Sequence, residues 1–229
     1  RASSWGLLSR VGERRWAMGV PGESAGGVDA PSPSLDLGGI AKGYTADACR
    51  DLAVAMGACG VLVSVGTSSV SVFGTRADGS SWRAGLRDPQ GGPTSVAGVV
   101  ELPADGMASL STSGDNLGPL GSVRADPVAG RVAGSVPDPR ARETSRETSP
   151  GGGRVFDHHI IDPRTGYPAH AGVRQVSVVA SSGVLAEALS TALLVDPSID
   201  VPDVVARWGR ATGAQASAKV VGLVRVEQG

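Results

Sequence analysis

The chain has 229 residues, 41% of them hydrophobic and only 3% aromatic, with a formal net charge of −1. That suits one sizeable domain with a core of Val, Leu and Ala rather than rings. The near-neutral balance gives no global pull towards nucleic acid or an anionic membrane, and no apolar run approaches the ~20 residues of a bilayer-spanning helix.

The first 34 residues carry little periodic pattern. Arg15 to Val20 is expected to form a short strand, and the Gly/Pro/Ser/Ala-rich Gly22 to Ser34 a loop. The sequence opens on Arg1 with no secretory-signal pattern after it, so no targeting segment is expected in this stretch. Cys49 and Cys59 lack metal-ligand spacing and are expected as buried free thiols.

A helix is expected from about Gly39 to Met56, with Ala46, Cys49, Ala53 and Met56 on its buried face and Gly57 as its stop. Val61 to Val65 and Val70 to Phe73 read as a hairpin around Gly66-Thr67-Ser68-Ser69. Trp82 to Leu86, Val96 to Leu102 and Gly106 to Leu110 read as further strands. Gly118 to Arg154 differs: it is rich in Pro, Gly, Ser and Arg, repeats Arg-Glu-Thr-Ser, and has too little apolar surface to fold alone. It is expected to be a flexible surface insertion. Arg174 to Ala180 alternates as a strand. Gly183 to Val195 reads as a second helix with Val184, Leu185, Ala188, Leu189 and Ala192 on its apolar side. A third helix over Val201 to Arg210 and a last strand over Ala218 to Val226 complete an α+β domain built on an antiparallel sheet.

Two stretches carry chemistry. Asp36-Leu37-Gly38-Gly39-Ile40-Ala41-Lys42-Gly43 puts a glycine pair and a lysine at a helix start. Free N–H groups, the positive end of the helix dipole and a lysine charge there suit an anion. Glu187 and Thr191 stand four apart on the second helix, so a carboxylate and a hydroxyl share one face and can meet one hard cation. A backbone carbonyl of the glycine turn can complete the protein's part of such a shell. His159 follows His158, and a histidine near neutral pKa can take a proton from an attacking hydroxyl.

Four ordered motifs give these residues a context: Asp36-Leu37-Gly38-Gly39-Ile40-Ala41-Lys42-Gly43-Tyr44, Thr112-Ser113-Gly114-Asp115, His159-Ile160-Ile161-Asp162-Pro163-Arg164-Thr165-Gly166, and Glu187-Ala188-Leu189-Ser190-Thr191-Ala192-Leu193. Together they resemble the FAD:protein FMN transferase family. The resemblance covers roughly Asp36 to Val195, less the central insertion, and implies a fold related to the T-fold. It makes the whole chain, residues 1–229, a single flavin transferase domain, short at its N-terminus. It implies FAD as substrate, Mg²⁺ as cofactor, and FMN transfer to a Thr or Ser hydroxyl of an acceptor flavoprotein, with AMP released. Neither nucleic acid nor a transmembrane segment is implied, and a cytoplasmic or envelope-associated setting fits equally.

By the same resemblance, the Gly39 carbonyl, Glu187 and Thr191 bind the metal. Asp36, Lys42, Asp115 and Ile160 contact FAD, with Asp36 also able to brace the turn. His159 is assigned the proton transfer. The family acid is usually Asp where this chain has Glu187, and the Gly66-Thr67-Ser68 turn and Asn116 also depart from the pattern. An FAD pyrophosphatase and an inactive flavin-binding module are the alternatives.

Overall fold

The computed structural model describes residues 8–13, 15–18, 35–92, 94–114 and 159–225. The expected insertion over 118–154, with Asp115 and His158, lies outside them. A short hairpin pairs β1 (Leu8–Arg10) with β2 (Trp16–Met18). The centre of the fold is a five-stranded antiparallel sheet in the order β3-β4-β7-β8-β9. Its strands are β3 (Gly60–Val65), β4 (Ser69–Gly74), β7 (Met107–Gly114), β8 (Val173–Ala180) and β9 (Ala218–Arg225). The mixed antiparallel-sheet and helix architecture agrees with the α+β reading.

The two sheet faces are covered differently. A separate ribbon of β5 (Arg83–Arg87) and β6 (Val96–Glu101) brings Leu86, with Trp82 and Leu102 just outside its strands, against Val72, Ala108 and Leu110. The opposite face carries α1 (Ala41–Ala55) and α2 (Gly183–Val195). At β8 that face is apolar: Val176, Val178 and Ala180 pack on Leu185, Leu189 and Leu193. On β4 and β7 it is polar, because Ser69 stands opposite Ser111 and Ser71 opposite Ser109, all four buried. The third helix, α3 (Val201–Thr212), packs Val204, Val205 and Trp208 on the same apolar cluster. Asp200 caps its N-terminus by accepting from the Asp203 amide, and Gly213 ends it at φ 69°.

The polar half of this face corrects the expected burial of α1. The helix buries Gly43, Ala46 and Arg50, whereas Met56 is 80% exposed. Cys49 and Cys59 are both exposed, not buried. For the helix residues, the reason is Asp47. Its Oδ1 accepts from Arg50 Nη1 at 3.0 Å, Ser71 Oγ at 2.7 Å and Ser109 Oγ at 2.8 Å, which turns the charged side of the helix onto the serines. On α2 the fully buried apolar residues are Leu185, Ala186, Leu189, Leu193 and Leu194, while Val184, Ala188 and Ala192 are half-buried. Both flanks of that helix are covered, so its buried arc is wider than one apolar side.

Candidate active site

The site forms where α1 begins and α2 runs past it. Asp36 Oδ1 accepts from the Gly38 amide at 2.7 Å, so Asp36 braces the glycine turn. No side chain caps α1. The Ala41 N–H in its first turn donates to the Leu37 carbonyl, while the Gly43 N–H is met from across the interface by Glu187 Oε2 at 2.6 Å, and the Lys42 ammonium donates to Glu187 Oε1. Lys42 Nζ also donates to the Gly38 carbonyl at 3.2 Å. A carboxylate at a helix N-terminus is favoured by the dipole and the free N–H groups. Glu187 is 2% exposed, so these partners are what make its burial tolerable.

This contact requires the helices to touch backbone to backbone. A Cβ built on Gly43 would lie well under 3.0 Å from the Gly183 carbonyl, and one on Gly183 would meet the Gly43 carbonyl as closely. Asp47 fixes the same junction from one turn further along α1. Its Oδ2 accepts from the Gly183 amide at 2.6 Å, at the first residue of α2.

Beyond Glu187, the same face of α2 continues into hydroxyls. Ser113 Oγ lies 2.8 Å from Ser190 Oγ and 3.0 Å from Thr191 Oγ1. Ser190 Oγ donates to the Glu187 carbonyl at 3.1 Å. Gly39 sits beside Thr191, since a Cβ on Gly39 would be 4.0 Å from Thr191 Cγ2. The Gly39 carbonyl receives no hydrogen bond from the described residues, because the Gly43 N–H that would continue the helix back to it is turned to Glu187.

Gly39, Glu187 and Thr191 are thus neighbours around one junction. An orphaned carbonyl, a carboxylate and a hydroxyl are the hard oxygen donors that Mg²⁺ takes, and by that chemistry the set fits the ion. Among the described residues no three His, Cys, Asp or Glu side chains gather as a metal cluster.

The remaining predicted residues lie on the segment leading into β8. His159 is exposed and Ile160 half-buried against the apolar core under α2. Asp162 accepts from the Arg164 amide at 2.8 Å and pairs with its guanidinium, which also reaches Asp196 at 3.0 Å. Hydrogen bonds from the Arg164 side chain and amide hold the Asp162 carboxyl below its ordinary value. A depression of about 340 Å³ opens there, lined in part by Arg164, Tyr167, His170 and Val195.

Asp47, Ser113 and Ser190 are site-building residues that the motif reading did not use. A period-two signal was present, however: Ser69 and Ser71, then Ser109, Ser111 and Ser113, recur at every second position along two strands, with Val70, Val72, Leu110 and Thr112 between or beside them.

The family model described as "ApbE family" matches residues 9–124 and 135–214. This chain belongs to the ApbE family. It is 30% identical over 174 residues to the FAD:protein FMN transferase of Treponema pallidum, an alignment covering 70% of this chain and 37% of that protein. The FAD:protein FMN transferase of Salmonella typhimurium is 28% identical over 185 residues, covering 80% of this chain and 43% of its own length. The chain therefore spans about two fifths of the curated relatives it matches. Among solved structures, the apo flavinyl transferase ApbE of Pseudomonas stutzeri superposes with a TM-score of 0.57 at 26% identity, covering all of this chain and 53% of that one. The ApbE protein of Thermotoga maritima matches with a TM-score of 0.52 at 29% identity, over 85% of this chain and 52% of that one.

Proposed function

We propose that the chain carries the flavin-transfer site of an FAD:protein FMN transferase. The observation that supports this reading is the junction itself: an orphaned Gly39 carbonyl, buried Glu187 and Thr191 beside a lysine on the first turn of α1. In the reaction, a Thr or Ser hydroxyl of an acceptor flavoprotein attacks the phosphorus of the FMN half of FAD. The bond to the AMP phosphate breaks, and AMP leaves. The α1 N-terminus and Lys42 hold the pyrophosphate. His159, exposed to an incoming acceptor, takes the hydroxyl proton. Asp36 holds the glycine turn in place through the Gly38 amide. Ile160 and Asp115 are assigned to FAD contact by the family resemblance.

Gly39, Glu187 and Thr191 would hold Mg²⁺, with Ser113 orienting the Thr191 hydroxyl. Bound there, the ion would neutralise phosphate charge that grows on the leaving group.

The test is product analysis by mass spectrometry with FAD, Mg²⁺ and an acceptor domain bearing a Thr flavinylation site. An FMN adduct on the acceptor plus AMP supports transfer. Free FMN and AMP without adduct would make the protein a pyrophosphatase, and FAD binding without turnover a flavin-binding module. Glu187→Ala should lower turnover by orders of magnitude, and full activity in excess chelator would refute the metal assignment.

A further inference from the structure

Glu187 presents a conflict. Both its carboxylate oxygens are engaged, Oε1 by the Lys42 ammonium and Oε2 by the Gly43 N–H, yet the same carboxylate belongs to the oxygen set that suits a divalent cation. We propose that Lys42 is a resident counter-cation, and that a divalent ion and the Lys42 ammonium take turns on Glu187. This rests on the metal reading given above.

The structure says which partner can leave. The Gly43 N–H is fixed by the helix and by the backbone contact with Gly183. Lys42 is a flexible four-carbon stem carrying the ammonium, and its side chain is 41% exposed against 2% for Glu187, so it is the partner free to swing outward. Among the described residues its hydrogen-bond partners are Glu187 and the Gly38 carbonyl. With no ion present, removing it would leave a carboxylate of 2% exposure without a countercharge, which is strongly unfavourable. With a divalent ion on Glu187, the carboxylate no longer needs Lys42, and two cations at one carboxylate repel.

The released ammonium stays tethered to the first turn of α1, where the positive end of the helix dipole favours an anion. Cation entry would therefore hand a positive charge to a phosphate-bearing ligand. By linkage, each ligand raises the affinity for the other. A lysine paired with the metal-binding acid thus keeps the empty site neutral and makes anion capture depend on the ion.

The experiment uses the full chain and Mg²⁺ alone, without FAD. Calorimetric titration should show Lys42→Met binding Mg²⁺ more tightly than wild type, on the order of tenfold, because the competing cation is gone. In the wild-type protein labelled with ¹⁵N-lysine, the Lys42 ammonium signal should shift on Mg²⁺ saturation and exchange faster with water. That measurement stands even where Lys42→Met folds poorly. An Mg²⁺ affinity equal to or weaker than wild type in folded Lys42→Met, or a Lys42 signal unmoved at saturation, overturns the exchange. So does an absence of Mg²⁺ binding, which removes the metal reading as well. FMN transfer by the wild-type protein, scored separately, shows whether the enzymatic reading survives either result.

Discussion

Gly43→Ala tests the helix junction directly. Gly43 is the residue of α1 whose missing side chain lets the helix reach the backbone of α2 at Gly183. The atoms an alanine Cβ would meet are the Gly183 carbonyl carbon and oxygen and the Val184 amide nitrogen, which are backbone and cannot rotate away. Overpacking a fitted contact costs about 1–3 kcal/mol, and alanine returns about 1 kcal/mol of helix propensity. Pushing α1 outward also lengthens the 2.6 Å bond from the Gly43 N–H to Glu187. A hydrogen bond to a charged group is worth about 1.5–3 kcal/mol. The net destabilisation is then about 1.5–5 kcal/mol, which for a domain of this size lowers Tm by about 3–20 °C. Gly98→Ala is the control, since a Cβ there meets nothing within 4 Å and its φ is not positive. It should stay within about 0.5 kcal/mol of wild type. Thermal and urea unfolding on both variants give the answer. A Gly43→Ala protein as stable as Gly98→Ala would refute the close helix contact and, with it, the placement of Glu187 on the α1 N-terminus.

Asp47→Ala strands Arg50, whose side chain is 3% exposed, with Asp51 as its remaining acidic partner, and should cost about 3–5 kcal/mol in urea unfolding. Asp47→Asn, which keeps the shape, should cost less. His159→Ala should leave FAD affinity nearly unchanged and slow FMN transfer by about a hundred- to ten-thousand-fold, whereas Lys42→Ala should weaken FAD binding; calorimetry and single-turnover assays separate the two. Loss of FAD binding in a folded His159→Ala protein would move the proton transfer elsewhere. Arg164→Ala should raise the titration midpoint of Asp162, seen by ¹³C NMR, back towards 3.8. Hydrogen bonds from Ser198, then Arg164, likewise depress Asp196. Because folded values below 3.8 add stability above that pH and lose it as pH falls through them, the wild-type turn should loosen only in acid, by a small amount for groups this exposed.

Most elements were legible because their signals are local. The Gly60–Val65 and Ser69–Gly74 hairpin announces itself by two apolar runs around a glycine turn, and α2 by an apolar period between Ser182 and Pro197. The ladder of β5 with β6 was legible as two strands, but their standing apart from the main sheet was not, since sheet membership is a long-range property. On α1 the buried face includes Ala46 as the apolar period implies, but leaves Cys49 and Met56 exposed, for a different reason. Apolar periodicity assumes that a buried face is apolar, and here the buried face carries Asp47 and Arg50 against serines on two strands. Asp47 and Arg50 pair locally, but the serines that receive them lie on strands distant in sequence, so the local pair reads like any exposed i,i+3 ion pair and nothing marks it as interior.

The same logic explains why the site residues could be named while their partners could not. Lys42, Glu187 and Thr191 stand in recognisable motifs, and helical spacing alone places Glu187 and Thr191 on one face. Their electrostatic state is decided elsewhere. Lys42 meets Glu187 across 145 positions of chain, and only because glycine occurs at both 43 and 183 do the two backbones approach far enough. The longer side chain of glutamate then reaches the Gly43 amide and the lysine together. A Glu187→Asp chain, one methylene shorter, would keep the charge but not that reach. It should therefore release Lys42 from the carboxylate in the metal-free protein, with faster water exchange of the Lys42 ammonium as the measurable sign. If the Lys42 signal in Glu187→Asp matches wild type, side-chain length is not what holds the pair, and the reach argument falls.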